Sequence, residues 1–162
     1  MDGIDILYRS FKEHVFIIAG PCVMESYELM DIVAQELASL KVRHSIKIIF
    51  KASFDKANRT SIHSFRGPGL EKGLLWMSDI RSKYELHVTT DIHESWQAKV
   101  VGEVVDIIQI PAFLCRQTDL LTEAAKTGKI INIKKAQFLT AFEMKYPAEK
   151  VVNSGNNKII LT

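Results

Sequence analysis

The chain has 162 residues, 47% of them hydrophobic and 25% charged, with a formal net charge of +2. This is the composition of an ordinary globular domain, and so small a net charge argues against nucleic acid as a partner. No run of 18 apolar residues exists, so no membrane span is expected. The N-terminal MDGIDILYRSFKEH carries early acids and no apolar core, so no secretory signal is expected either. Cys22 and Cys115 are too few for a disulfide framework, which makes a reducing cytoplasm the simplest compartment.

Residues 1–14 are weakly patterned and are expected to form a cap or hairpin before the core, which residues 15–162 build as one domain. Val15–Gly20, VFIIAG, is a continuous apolar run stopped by Gly-Pro and reads as a strand buried on both faces. Ser26 is placed to cap a helix over SYELMDIVAQELASLKVR, with Leu29, Ile32, Val33, Leu37 and Leu40 on its apolar face. Strands are then expected at Lys47–Phe54, Leu86–Ile92, Asp106–Pro111, Ile130–Lys134 and Lys158–Leu161. Between them fall helices at Leu70–Tyr84, Glu94–Val104, Gln117–Thr127 (with Gly128 as its stop) and Thr140–Lys150.

Strands alternating with helices imply βαβ units and a parallel sheet, either a doubly wound sheet or a (β/α)8 barrel. Polar residues favour the barrel. Cys22, Lys51, Asp91, Gln109 and Lys134 each fall at or just after the C-terminal end of a different strand. Barrels build their sites from several strand ends, whereas an open sheet concentrates its ligand at one crevice.

The densest chemistry lies in Lys51–Gly69, KASFDKANRTSIHSFRGPG. Lys51, Lys56, Arg59 and Arg66 stand beside Asn58, Thr60 and Ser61, with Asp55 the single acid. Arg forks and Lys point charges suit a phosphorylated ligand, although on chemistry alone the stretch reads equally well as a solvated basic loop. Cys22 in Gly20-Pro21-Cys22 reads first as a small packing thiol, and Asp91 as a charge balance for nearby cations. Arg66-Gly67-Pro68-Gly69 reads equally as a rim contact or as a turn into the next helix.

The blocks KANRTS and SFRGPG, then TTDIHES at 89–95, IQIPAFLCRQTDL at 108–120 and NIKKAQF at 132–138, occur in one order along the chain. In order and spacing they closely resemble the 3-deoxy-D-manno-octulosonate 8-phosphate synthases, from about Phe16 to the last residue. The resemblance implies a (β/α)8 TIM barrel carried to about its sixth strand. It also implies condensation of phosphoenolpyruvate with arabinose 5-phosphate and water, a step toward lipopolysaccharide. Asn58, Arg59 and Thr60 would hold the sugar phosphate, and Lys51 and Lys56 would face phosphoenolpyruvate and the reacting centre. Asp91 would bond the sugar hydroxyls. His93 and Glu94 are left to orient the loop or open the next helix. Gln109, Pro111 and Ala112 match the phosphoenolpyruvate side, and Lys134 the lysine on its phosphate and carboxylate. Ala136 stands where the family usually has Gly or Pro. Arg116 matches an arginine presented across a subunit interface, so a homo-oligomer, a tetramer in the family, is implied. Cys22 matches the ligand of the metal-dependent branch, which would take Zn2+, Fe2+ or Mn2+; the other ligands of that set match no position up to Thr162.

Two other enzyme readings stand beside this one: 3-deoxy-arabino-heptulosonate 7-phosphate synthases, which use erythrose 4-phosphate, and, more distantly, sialic-acid-type synthases. A reading from another class is a truncated, inactive chain or phosphate-binding remnant. With Cys22 alone of the metal ligands and apolar edges at the first and sixth strands, the 162 residues by themselves are expected to be poorly soluble and inactive.

Overall fold

A computed structural model of the protein describes residues 3–162. These residues group into two compact units, Ser10–Thr90 and Asp91–Thr162, the second joined by the N-terminal residues up to Arg9. Among the described residues no helix is long and apolar enough to cross a membrane.

The N-terminal segment forms a helix, α1 (Gly3–Glu13), in place of a hairpin. Ile4, Leu7, Tyr8 and Phe11 recur at helical spacing, and this periodicity over one face makes the segment helical. Leu7 is buried, and the Tyr8 hydroxyl donates to the Ile159 carbonyl at 3.1 Å. At the other end of the helix the Phe11 ring stacks on Phe16, with centroids 4.1 Å apart.

In the first unit, β1 (Phe16–Ala19), β2 (Lys47–Lys51) and β3 (His87–Asp91) pair in parallel in that order. The connections are α2 (Tyr27–His44) and α3 (Leu70–Tyr84). Ile48, Ile49 and Phe50 are buried at 4% exposure or less, as a strand covered on both faces requires. β1 departs from that expectation: Ile17 is 43% exposed and none of its four residues is fully buried. Its described strand partner is β2 alone, which leaves its other edge without a ladder.

Ser26 caps α2 as expected, its hydroxyl accepting the Leu29 N–H at 3.1 Å. The buried stripe of α2, however, is centred on Met30 and Ala34, with Leu29, Val33, Leu37 and Leu40 half-buried at its margins and Ile32 65% exposed. The small Ala34 and the flexible Met30 allow close helix packing, so they take the centre of the contact. Polar groups clasp α2 to α3. The Asp31 carboxylate accepts from Lys83 Nζ at 2.7 Å and from the Tyr84 hydroxyl at 2.8 Å, and the Tyr27 hydroxyl donates to Asp79.

In the second unit, β4 (Ile107–Ile110), β5 (Ile130–Ile133) and β6 (Ile159–Leu161) are parallel, with α4 (Gln97–Val104) before β4. The connections are α5 (Thr118–Lys126) and α6 (Lys145–Asn153), the latter entered through a single 3-10 turn at Phe142–Met144. All four residues of both β4 and β5 are buried. The buried Asn156 amide donates to the Ala125 and Lys129 carbonyls at 3.1 and 2.8 Å, closing the C-terminal end of α5 onto the approach to β6. Alternating strands and helices with parallel pairing are the repeat of a (β/α)8 barrel, carried here through a sixth strand.

Two glycines are set by close backbone approach. At Gly20 (φ 155°) a Cβ would sit 2.1 Å from the Lys51 carbonyl oxygen, and at Gly67 (φ 127°) 2.3 Å from that of Phe54. Gly69 also has a positive φ, 86°, but open space around it. Gly20→Ala is therefore expected to destabilise the protein by more than about 2 kcal/mol. Gly69→Ala pays only the backbone term, about 1 kcal/mol. Urea unfolding of the two variants side by side checks this; equal losses would show that backbone conformation, not the Gly20–Lys51 approach, sets the cost.

Candidate active site

In the first unit the C-terminal ends of β1 and β2 are tied together by Ser53. Its carbonyl accepts the Met24 N–H at 3.0 Å, and it forms an isolated parallel bridge with Val23. Its buried hydroxyl takes two more donors: Lys51 Nζ and Lys56 Nζ, each at 2.8 Å. Two ammonium groups on one neutral oxygen use both of its lone pairs and leave their mutual repulsion uncompensated by that oxygen. An anion placed between them would relieve it. The sequence marked both lysines; it gave no reason to single out the serine between them.

The loop that follows is held by its own backbone. The Lys56 N–H donates to the Arg66 carbonyl at 2.7 Å, and the Gly69 N–H to that of Phe54 at 3.1 Å. Arg66 forks onto Asp55 at 2.8 and 2.5 Å, and this carboxylate raises the guanidinium above its already high ordinary value. Of the two readings of Arg66-Gly67-Pro68-Gly69, the geometry supports the turn: this arginine closes the loop. Asn58, Arg59 and Thr60 are all exposed. Arg59 is tied only loosely, Nε to the Phe65 carbonyl at 3.4 Å, and lines an open groove of about 580 Å3 with Val23, Glu25, Ser64 and Phe65.

Cys22 follows β1 and is exposed, which removes the packing-thiol reading; Cys115 is buried, as a packing thiol should be. Among the described residues no group of three or more His, Cys, Asp or Glu side chains is placed to hold a metal ion. The residues present therefore do not by themselves form a metal centre, and Cys22 stands as a single soft donor.

In the second unit Asp91 ends β3 at 6% exposure. The next residue, Ile92, donates its N–H to the Gln109 carbonyl at 3.2 Å, which fixes Asp91 beside the strand that carries Gln109. His93 lies against Asp91, Nε2 to Oδ2 at 3.4 Å. Gln109 is 9% exposed in β4 and shares a register position with Asn132 of β5. Pro111 and Ala112 lead from β4 into a 3-10 turn ending at Leu114. Arg116 is exposed just beyond, its carbonyl accepting Lys150 Nζ at 2.8 Å.

Lys134 and Lys135 follow β5 directly, and both are exposed. Lys134 is exposed at the end of β5, its N–H donating to the Ile110 carbonyl at 3.1 Å. Lys135 Nζ donates to the Ala136 and Leu139 carbonyls at 2.8 and 2.7 Å and so shapes the loop that Lys134 opens. Ala136 is fully buried in that loop. Thr140 and Glu143 close its far end reciprocally. The Glu143 carboxylate accepts from Thr140 N and Oγ1, both at 2.8 Å, and the Glu143 N–H donates to Thr140 Oγ1 at 3.3 Å.

The Thr140 N–H bond holds the Glu143 carboxyl below its ordinary value, with the Thr140 hydroxyl and Arg116 adding to the effect. A depressed folded value means that the contribution to stability is complete above the unfolded value of about 4.3 and fades as pH falls through the lower, folded one. The stability gap between the parent protein and Glu143→Ala is thus expected to be widest at neutral pH and to narrow below about pH 4. Denaturation midpoints across that range test it, and a gap independent of pH would remove the carboxylate from the account.

With this geometry in place, relatives can be compared. The family model described as "DAHP synthetase I family" matches residues 11–162. The chain is 57% identical over 150 residues to a 2-dehydro-3-deoxyphosphooctonate aldolase of Fusobacterium nucleatum, covering 93% of this chain and 54% of that protein. To one from Helicobacter hepaticus it is 54% identical over 140 residues, covering 86% and 52%. To 2-dehydro-3-deoxyphosphooctonate aldolase 1 of Arabidopsis thaliana it is 48% identical over 163 aligned positions, covering 99% and 56%. The chain spans about half the length of the curated relatives it matches. With the model matched from residue 11 to residue 162, the chain belongs to the DAHP synthetase I family.

Proposed function

We propose that the protein containing this chain condenses phosphoenolpyruvate with D-arabinose 5-phosphate and water, giving 3-deoxy-D-manno-octulosonate 8-phosphate and inorganic phosphate. The observation that carries this reading is the Lys51–Ser53–Lys56 arrangement, two cations gathered on one buried hydroxyl at a strand end. The names of the relatives support the eight-carbon product.

In this reaction C3 of phosphoenolpyruvate attacks the sugar aldehyde carbon and a new C–C bond forms. Water adds to C2, and the bond from C2 to the phosphate oxygen breaks, leaving the 2-keto acid. One water proton ends on the new hydroxyl and the other leaves with phosphate. Lys51 and Lys56 neutralise the phosphate and carboxylate of phosphoenolpyruvate, and Lys134 is assigned to the same anion. Gln109, Pro111 and Ala112 are assigned to that substrate too, with Ala112 offering its backbone donor. Asn58, Arg59 and Thr60 take the sugar phosphate, in keeping with their exposure on one loop. Asp91 accepts from the sugar hydroxyls. Positioning and fixed charge supply most of the catalysis.

Cys22 is proposed as one ligand of a divalent metal, Zn2+, Fe2+ or Mn2+, whose chemistry would be to polarise an oxygen of the reactants. No step above depends on it. Arg116 is proposed to reach a neighbouring subunit of a homotetramer. The setting proposed is the cytoplasm, with the product passing to lipopolysaccharide synthesis.

In a second reading, which the names of the relatives do not favour, erythrose 4-phosphate is the aldehyde. Phosphate release from phosphoenolpyruvate by the whole protein, measured with each sugar, decides between them. Turnover with arabinose 5-phosphate and none with erythrose 4-phosphate is expected; equal turnover of both would overturn the assignment. Lys51→Met and Lys56→Met are each expected to weaken phosphoenolpyruvate binding at least about ten-fold, the scale of one lost charge-assisted hydrogen bond. Titration calorimetry measures this, and unchanged affinity in both variants would dissociate the lysine pair from the substrate.

A further inference from the structure

We propose that Gln97 is a positioning residue that sets the orientation of Asp91 through the turn between β3 and α4. The proposal rests on the reading of Asp91 as the acceptor for sugar hydroxyls.

After β3 the chain must reverse within a few residues, and the turn leaves two backbone donors without a ladder. The Ile92 N–H is taken by the Gln109 carbonyl at 3.2 Å. Those of His93 and Glu94 are both taken by one atom, the side-chain Oε1 of Gln97, at 2.8 and 3.2 Å. The Gln97 N–H in turn donates to the Glu94 carbonyl at 3.1 Å, so side chain and backbone close a ring around residues 93–97. Gln97 is 8% exposed, so little water competes for its carbonyl. A backbone donor kept from water without a partner is costly, and for these two part-buried donors the partner is one oxygen.

This ring fixes the His93 backbone, and from it the imidazole reaches Asp91, Nε2 to Oδ2 at 3.4 Å, with His93 12% and Asp91 8% exposed at their side chains. Asp91 is thus held from two directions, by the Ile92–Gln109 bond along the chain and by His93 from the side. Gln97 acts on Asp91 through the His93 backbone that it holds. An apolar side chain of the same size would fill the space and release both donors.

The test uses the whole protein with Gln97→Met, which keeps the volume and loses the acceptor, and Gln97→Glu, which restores it. Asp91→Asn is the reference. Amide hydrogen exchange at His93 and Glu94 is measured together with the affinities for arabinose 5-phosphate and for inorganic phosphate. Gln97→Met is expected to accelerate exchange at those two amides and to weaken arabinose 5-phosphate about ten-fold, the scale of a lost buried hydrogen bond. It should leave inorganic phosphate, a ligand of the basic loop, unchanged, and Gln97→Glu should recover both properties. Should Gln97→Met fail to fold, Gln97→Asn, whose carbonyl falls one methylene short, takes its place with the same expectation. Equal weakening of both ligands would reduce Gln97 to general stability and overturn the proposal. So would unchanged sugar affinity in Gln97→Met while Asp91→Asn loses it, which leaves the reading of Asp91 intact. Unchanged sugar affinity in Asp91→Asn would instead sink that reading, and the proposal with it.

Discussion

The arrangement at the end of β2 depends on the Ser53 side chain and backbone acting together. The backbone binds the loop after β1 through Met24 and Val23, and the hydroxyl gathers Lys51 and Lys56 at 2.8 Å each. A fully buried residue with these partners has little freedom to relax, so the two cations are held in place before any ligand arrives. Gly20 makes the junction possible, since any side chain there would collide with the Lys51 carbonyl. Packing at the strand ends and charge at the surface are therefore one constraint.

Around this centre the charged residues divide by task. Arg66 is committed to Asp55 and Lys135 to two loop carbonyls, so both shape loops. Arg59 and Lys134 are exposed and only lightly tied, and both follow strands whose C-terminal ends carry polar chemistry. Neighbouring cations thus take opposite roles, and formal charge did not distinguish them. Distance to an acid or a carbonyl did.

The same division appears among the buried polar groups. Asn156 closes a helix end, whereas Gln97 spends its carbonyl on the turn after Asp91. A buried amide at the first residue of α4 has no apolar periodicity to announce it, so the sequence offered no signal for Gln97. Ser53 was equally silent inside KASFDK, because one hydroxyl among many has no distinguishing pattern until its partners are known.

The sequence by itself determined the alternation of strands and helices, most of their limits to within a few residues, the Ser26 cap and the strand-end residues at positions 51, 91, 109 and 134. Those features are local: they follow from side-chain period, β-branched runs and capping chemistry. Only the tertiary structure decided that β1 is half-exposed with Ile17 uncovered, and that Met30 and Ala34 rather than Ile32 face inward from α2. It also decided that Lys51 and Lys56 both meet Ser53, that Arg66 is spent on Asp55, and that Gln97 serves His93 and Glu94. The reason is the same in each case. Periodicity gives the direction of a side chain relative to its own backbone, whereas burial and partnership depend on which other element lies across from it, and that is fixed only when residues distant in sequence pack together.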